Sequence, residues 1–385
     1  LLGDSVCDLD DGARFVVVWF VTFWQLFHRG RKATHMTIRP LYVSPIGRGG
    51  VDIGIQNILR AVQRAGLSDA ALLRMPERYN FVPMLLQASM PHQWWHGRSI
   101  IQARSRVAFA LKRPGIPLVT TVHHLTTDPR LQPVSSRAQR LFYRLVESRY
   151  DGWSVAQADA VVCVSRYTQQ MTEATYGRRD THLIYDGIDT DVFTPAPHAQ
   201  RLNALPASDA RIRLLFVGNR TRRKGFDLLA KIMDLLPSDY VLYYTASFQA
   251  GVDVNPHPRM IPIGTPDRDG LVAAYRSADI MLFPSRLEGF GIAPAEALAC
   301  GVPVVTTNAS ALPEVVDDGQ SGFLVTPDDV HGYAEKVRAL GEDAALRRRF
   351  GDFGREKVVR AFGYAMLGTS FRALYERLLN THPPV

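Results

Sequence analysis

The chain is short of cysteine, has no apolar run long enough to span a bilayer, and carries no block of like charge. Its three cysteines, Cys7, Cys163 and Cys300, stand far apart. With no Cys-x-x-Cys pair and no ligand spacing, they give neither a disulfide framework nor a zinc site. Cys163 falls in an apolar stretch and Cys300 at a predicted helix end, so both read as small buried hydrophobes of a reducing compartment. The apolar run at residues 15–27, FVVVWFVTFWQLF, falls below the roughly 20 residues of a spanning helix. Asp4, Asp8, Asp10 and Asp11 precede it against the lone Arg14, the reverse of the basic start of a secretory leader. Residues 1–35 therefore read either as sequence foreign to the native protein or, with Arg29, Arg31 and Lys32 behind the run, as an interfacial anchor on anionic lipid. The net charge of +8 over 385 residues is dispersed. No RNA-recognition aromatics, finger spacing or long arginine block accompany it, which sets nucleic acid aside and leaves a membrane surface or plain solubility.

What is present is alternation. From Met36 onward, short apolar stretches at 38–43, 71–74, 99–102, 117–122, 160–164 and 182–185 predict strands. Helical periodicity falls between them, at 53–65 (Ile55, Ile58, Leu59, Val62, closed by Gly66) and at 137–158. Strands alternating with helices imply βαβ units and a parallel sheet buried on both faces. Residues 194–209, rich in Pro, Ala and polar side chains, read as a linker. The pattern then restarts, with strands at 213–217, 241–245, 260–263, 279–283, 303–306 and 322–325 and a helix at 226–236. The expected fold is α/β: two Rossmann-like doubly wound domains, residues 36–200 and 201–362, with the ligand in the crevice between them.

The densest stretch is 284–305, PSRLEGFGIAPAEALACGVPVV. Glu288 and Glu296 flank the turn Gly289-Phe290-Gly291 and Ile292, with Pro294 able to open a helix. Strand, glycine turn, helix, strand brings backbone N–H groups and a helix dipole, which favour phosphate, beside carboxylates, which favour hydroxyls. A nucleotide-sugar carries both groups. Earlier, Gly218-Asn219-Arg220-Thr221-Arg222-Arg223-Lys224-Gly225 leaves a strand and enters a helix, offering cations to a departing diphosphate. Gly47, Gly49 and Gly50 make a turn after the first strand. Asp52 stands in the third glycine place and no acid ends the second strand, both against a dinucleotide fingerprint. His123-His124 closes another strand. Ser165 reads as a helix N-cap. Asp-x-Asp occurs at 8–10, 189–191 and 267–269, too often to mean a metal, and no metal ligand is assigned.

The Glu-x7-Glu of this string, its continuation through Leu312-Pro-Glu-Val315, and residues 319–325 (GQSGFLV) together resemble the retaining glycosyltransferases of family 4, which have the GT-B fold. The resemblance implies transfer of a sugar, a hexose above all, from a nucleotide-sugar donor to a glycan, lipid-linked or other hydroxyl acceptor. It implies an acceptor-side first domain and a donor-binding second one. At Phe362-Gly363-Tyr364 the chain would cross back, so that helix 363–385 packs on the first domain. It gives Glu296 the ribose hydroxyls and Glu288 the donor sugar or the charge developing at its anomeric carbon. Gly289, Phe290, Gly291 and Ile292 line the donor, and Lys224 with Arg220 holds the diphosphate. Asn219 occupies the family's usual arginine position, so Arg223 is an alternative to Arg220. Gly49 and Gly50 fall near the donor phosphate, and His123, with His124 as competitor, near the sugar. Catalytic roles are thus expected of Glu288, His123 and Lys224, with no metal or cofactor. Asp186, where the family has Asn, reads as part of a structural turn. The implied setting is cytoplasmic, possible peripheral association at the inner membrane face included, in cell-envelope polysaccharide synthesis. Two other readings stay open: a GT-B nucleotide-sugar epimerase, and a catalytically silent nucleotide-sugar-binding subunit.

Overall fold

The computed structural model describes residues 38–45, 50–76, 79, 81–89, 94–196, 212–245 and 257–381. The segment 1–35, Gly47 and Gly49, and most of the 194–209 linker lie outside the described residues.

The first lobe runs β1 (Pro40–Pro45), α1 (Gly50–Arg64), β2 (Ala71–Met75), α2 (Met84–Ser89), β3 (Ile100–Arg104), α3 (Ser105–Ala108), β4 (Leu118–Val122), α4 (Arg137–Phe142), α5 (Ser148–Gln157), β5 (Ala160–Cys163), α6 (Arg166–Tyr176) and β6 (Thr181–Leu183). Its strands lie in the order β2-β1-β3-β4-β5-β6, parallel at every pair. The second runs β7 (Ile212–Phe216), α7 (Phe226–Asp234), β8 (Tyr240–Tyr244), β9 (Met260–Pro262), α8 (Arg268–Ser277), β10 (Ile280–Phe283), α9 (Ile292–Ala299), β11 (Val304–Thr307), α10 (Leu312–Val315), β12 (Gly322–Val325) and α11 (Val330–Glu342). Its order, β12-β11-β10-β7-β8-β9, is again parallel throughout. The strand order therefore reverses between β7 and β10, the switch point beyond which doubly wound sheets bind ligands. Two doubly wound lobes are what the alternating pattern predicts.

β4, β5, β8, β10 and β11 are buried at every position. Their continuous apolar runs fit strands covered by helices on both faces. Each large side chain so buried contributes about 1.5–3 kcal/mol relative to exposure. Both described cysteines are free and buried, Cys163 in β5 and Cys300 just after α9.

The C-terminal helices and an aspartate clamp help to join the lobes. The C-terminal residues form α12 (Ala344–Phe362) and, after an extended Gly363 at the expected crossing point, α13 (Tyr364–Thr381). Gly363 bridges Ile188, whose N–H donates to the Phe362 carbonyl at 2.7 Å. α12 stays with the second lobe, with Gly354 against Leu298 of α9. α13 lies on α1: Tyr364 Oη donates to Asn57 Oδ1 at 2.7 Å, and the Tyr375 and Tyr42 hydroxyls meet at 2.6 Å. Asp189, 1% exposed in its side chain, accepts from Arg64 of α1 at 2.8 Å and from Arg268 of α8 at 2.6 Å. The Asp-x-Asp pattern at 189–191 is thus taken up by a clamp between lobes, since Asp191 also pairs with Arg64.

Candidate active site

A cavity of about 290 Å³ lies between the lobes. Its second-lobe wall is built by the two turns that leave β7 and β10, the pair flanking the switch point. Each turn needs a glycine. Gly225, at φ +72°, ends the first turn with its α-carbon pressed on the Pro284 carbonyl, where no Cβ fits. Gly289 lies against the main-chain carbonyl of His123, so a side chain there would collide with the first lobe.

The approach of Gly225 to Pro284 sets the two turns side by side, with Lys224 and Glu288 together. Lys224 Nζ lies 2.6 Å from Glu288 Oε1, and Ser285 Oγ donates to the same oxygen at 2.6 Å. Arg223 stands 3.9 Å from Glu288 Oε2 and donates to the Leu287 carbonyl at 2.8 Å. Burial alone would raise the Glu288 pKa, but the charges of Lys224 and Arg223 and the hydrogen bonds from Lys224 and Ser285 hold it below its ordinary value. Burial lowers the Lys224 pKa, only partly offset by Glu288. The pair is read as ionised at neutral pH, because each charge has its counter-charge within hydrogen-bond reach. The Glu288 N–H donates to Ser310 Oγ at 3.0 Å, and Ser310 sits in the left-handed region at φ 53°. Such a conformation in a non-glycine residue costs free energy, which the surroundings must offset.

Glu296 is the fifth residue of α9 rather than part of its first turn, and it closes the cavity floor. Burial pushes its pKa up to about 8, against the hydrogen bond that Tyr275 Oη donates to it at 3.0 Å and the charge of Arg268. It is therefore a neutral carboxyl at pH 7, able to donate as well as accept. Phe290, Gly291 and Ile292 line the cavity at the start of α9, where N–H groups of the first turn lack intrahelical partners.

The first lobe supplies Gly50, His123, His124 and Asp186. His123 Nδ1 lies 3.7 Å from Asp186 Oδ2, and its Nε2 is buried without a hydrogen-bond partner. Burial, then the charges of Arg223 and His123, push His124 down to about 3, so it is neutral. A Cβ at Gly54 of α1 would come within 3.2 Å of the His123 ring and 3.3 Å of the Asp186 carboxylate, so the glycine leaves both of them room.

The structure thus gathers Glu288, Glu296, Lys224, His123, Gly289, Phe290, Gly291, Ile292 and Gly50 around one cavity. Gly49 lies outside the described residues. Arg220 is not on the cavity wall; Arg223 is, because its bond to the Leu287 carbonyl turns it inward. Sequence reasoning missed Ser285, Ser310 and Tyr275, which orient the two glutamates. It also took Asp186 for a plain turn residue. Tyr275 and Ser310 stand 21 and 22 residues from the glutamates they meet, so no local signal marks them, whereas Ser285 lies only three residues before Glu288.

The first lobe also meets the second through Glu314 of α10. Its carboxylate accepts from the N–H groups of Arg166 and Tyr167, the first turn of α6, at 2.8 and 2.9 Å, and from Tyr185 Oη at 3.0 Å.

Residues 38–192 match the family described as Glycosyltransferase Family 4, and residues 257–357 that described as Glycosyl transferases group 1. The D-inositol 3-phosphate glycosyltransferase of Arthrobacter sp. (strain FB24) is 30% identical over 303 residues, which cover 70% of this chain and 68% of that protein. Sucrose-phosphate synthase from Thermosynechococcus elongatus superposes with a TM-score of 0.75 at 21% identity, over 89% of this chain and 100% of that one. Anabaena HepE, solved in complex with UDP-glucose, gives a TM-score of 0.69 at 18% identity, over 88% of this chain and 99% of that one.

Proposed function

The chain belongs to glycosyltransferase family 4, the group 1 glycosyl transferases, and is a glycosyltransferase; on that premise we propose that the cavity between its lobes holds a nucleotide-sugar and transfers its sugar, a hexose, with retention of anomeric configuration. One observation carries the reading. Lys224, Glu288 and Glu296, separate in sequence, wall a single cavity at the carboxyl ends of β7 and β10, opposite His123.

In this reading the ribose hydroxyls meet Glu296, whose neutral carboxyl can pair with hydroxyls in either sense. The diphosphate lies against Lys224, Arg223 and the free N–H groups that open α9, where fixed positive charge stabilises the leaving group as its negative charge grows. The sugar lies between Glu288 and His123, whose unpartnered Nε2 suits a sugar hydroxyl. The HepE complex with UDP-glucose supports a donor of this class.

Glu288 is poorly placed as a covalent nucleophile. One of its oxygens already accepts from Lys224 and Ser285, and the other faces Arg223. Its charge is better spent on the anomeric centre electrostatically. Attack then comes from the face that the diphosphate leaves, with a phosphate oxygen taking the acceptor proton. The cations already present let the diphosphate leave without a metal. The acceptor, a glycan or lipid-linked hydroxyl, enters from the first lobe. Two buried thiols without a disulfide fit a cytoplasmic setting, with cell-envelope polysaccharide as the product class. Among the described residues no helix is long and apolar enough to cross a membrane, and association with its inner face is peripheral in this reading.

Thermal denaturation with UDP, GDP and ADP tests the donor site. A ligand at 100 times its Kd that binds only the folded state adds about 2.7 kcal/mol. A stabilising shift with one of them is expected; no shift with any would sink the reading. Nucleoside diphosphate released only on adding an acceptor separates transfer from epimerisation, and binding without turnover on any acceptor would mark a silent subunit.

A further inference from the structure

The segment that follows β11, residues 308–316, touches the donor turn on one side and the first lobe on the other. The donor reading gives it no part.

We propose that Ser310 and Glu314 of this segment are positioning residues for sugar transfer: the contact of Glu314 with α6 fixes the segment, and the segment fixes the turn that carries Glu288. The proposal rests on the donor reading above and adds a means by which the meeting of the lobes is felt at the reacting centre.

On the donor side the segment holds the turn by a hydrogen bond and by packing. The Glu288 N–H donates to Ser310 Oγ at 3.0 Å, and that hydroxyl donates in turn to the Ala309 carbonyl at 2.7 Å. Ser310 does this at φ 53°, a left-handed conformation that glycine adopts without strain and serine does not. What serine adds over glycine at this position is its hydroxyl, and the hydroxyl takes the backbone of Glu288. α10 packs behind the turn, with Leu312 and Val315, both fully buried, beside Gly291.

On the first-lobe side Glu314 turns both oxygens to α6. Ser165 already accepts from the Thr168 N–H at 3.0 Å, and Thr168 Oγ1 accepts from the Ser165 N–H at 3.0 Å. The N–H groups of Arg166 and Tyr167 remain, and each donates to a different oxygen of Glu314. A carboxylate at a helix N-terminus is favoured by the dipole and by charge-assisted bonds. This one comes from the opposite lobe, so the bonds exist only while the lobes meet.

A second route from Glu314 to the donor turn runs through Tyr185. Its hydroxyl donates to Glu314 Oε2 at 3.0 Å. Its ring centroid lies 5.9 Å from that of Phe290 and 5.2 Å from that of Phe362, and the two phenylalanine rings are 5.0 Å apart. Phe290 is the middle residue of the donor turn, and Phe362 directly precedes the crossing at Gly363. Glu314 is thus tied to the donor turn through α10 and through Tyr185. Capping α6 requires neither tie.

Hydrogen exchange of the full chain, read by mass spectrometry on peptides covering 165–176 and 284–292, tests this without an acceptor. Glu314→Ala is expected to speed exchange at least about tenfold in both peptides, since one loses its capping bonds and the other the contact that fixes it. Faster exchange at 165–176 alone would make Glu314 a helix cap and nothing more, and would overturn the proposal. Ser310→Gly removes the left-handed strain and so keeps the fold. It is expected to speed exchange of the Glu288 amide about tenfold, the worth of one lost hydrogen bond. Exchange at 284–292 untouched in this variant overturns the role of Ser310. Calorimetric titration of wild type and Ser310→Gly with UDP, GDP and ADP, and with UDP-glucose, GDP-mannose and ADP-glucose, gives the second readout. The variant should keep its affinity for the nucleoside diphosphate within about twofold and lose about tenfold for the matching nucleotide-sugar, because in the donor reading only the sugar lies on Glu288. A ratio of the two affinities equal to that of the wild type overturns the proposal. A wild-type chain that binds none of the six fails the donor reading instead, and hydrogen exchange still decides whether Glu314 and Ser310 hold the turn.

Discussion

Lys224 Nζ lies 2.6 Å from Glu288 Oε1, although 64 residues separate them. Both sit at the carboxyl edge of one sheet because β7 and β10 are neighbours. In the proposed reading the pair sets a cation where the donor diphosphate is to leave and an anion where positive charge is to grow. Lys224→Ala is expected to lower turnover by about 10²–10³, the usual cost of one fixed charge or donor aimed at a transition state. It also leaves Glu288 without its main counter-charge. Initial-rate measurements of nucleoside diphosphate release check it, and a near-normal rate would assign phosphate stabilisation elsewhere.

Glu296 gives a signature in pH. Its folded pKa of about 8 exceeds the ordinary 4.5, so the fold favours the protonated form. The stability this contributes is fully present below about pH 4.5, is lost progressively as pH rises towards 8, and changes no further above it. The swing is on the order of a few kcal/mol. Compared across this range by denaturant titration, wild type should lose stability relative to Glu296→Gln. Parallel curves for the two proteins would mean that the carboxyl titrates normally.

Loss of the Glu296 carboxyl also bears on the donor. Glu296→Ala should weaken nucleoside diphosphate binding about tenfold or more, as expected when a charge-capable hydrogen-bond partner of a ligand hydroxyl is lost. Unchanged affinity and turnover would remove the residue from the site.

Gly289→Ala places a methyl group where the His123 carbonyl lies. The lobes must then part locally. Since misplacement by about 1 Å can cost 10²-fold in rate, turnover should fall by about that factor while each lobe stays folded. Activity assays paired with circular dichroism separate this from unfolding; full activity would show that the two backbones need not touch.

Glu314 caps a helix of the opposite lobe. Replacing a capping group by alanine costs about 0.5–2 kcal/mol, so Glu314→Ala should lower stability by about that amount and loosen the closed arrangement. Chemical denaturation measures the first effect and small-angle scattering the second. A stability equal to wild type would leave the cap without energetic weight.

Chelation provides a further check. If Lys224 and Arg223 hold the diphosphate as proposed, EDTA at millimolar levels should leave turnover within about twofold of the untreated enzyme, because fixed cations then supply the charge stabilisation. Abolished activity would require a metal in the donor complex.

Much of this was legible before any coordinates. Apolar runs in a parallel sheet stay continuous, so the strands announced themselves, and Glu288 and Lys224 lay in turns whose glycines mark them, with Glu296 in the helix that follows. The choice of Arg223 over Arg220 was not legible. Side-chain direction in a tight turn depends on the Leu287 carbonyl, contributed by another turn. The neutral state of Glu296 was equally hidden, because a pKa of about 8 arises from burial and not from neighbours in the chain. Asp189 looked like half of an Asp-x-Asp pattern and proved to be a clamp, once α1 and α8 brought an arginine each to it.

Local order is written in neighbouring residues: periodicity, glycine at forced turns and N-capping side chains act within a few positions. The amino-acid order alone therefore settled two α/β lobes and the turns that hold the chemistry. Which side chains face each other across the crevice was settled only in three dimensions. Strand order, the return of α13 onto α1 and the burial of Glu288 and Glu296 at the crevice are properties of the packed whole, and they set the distances and the shifted proton affinities of the site.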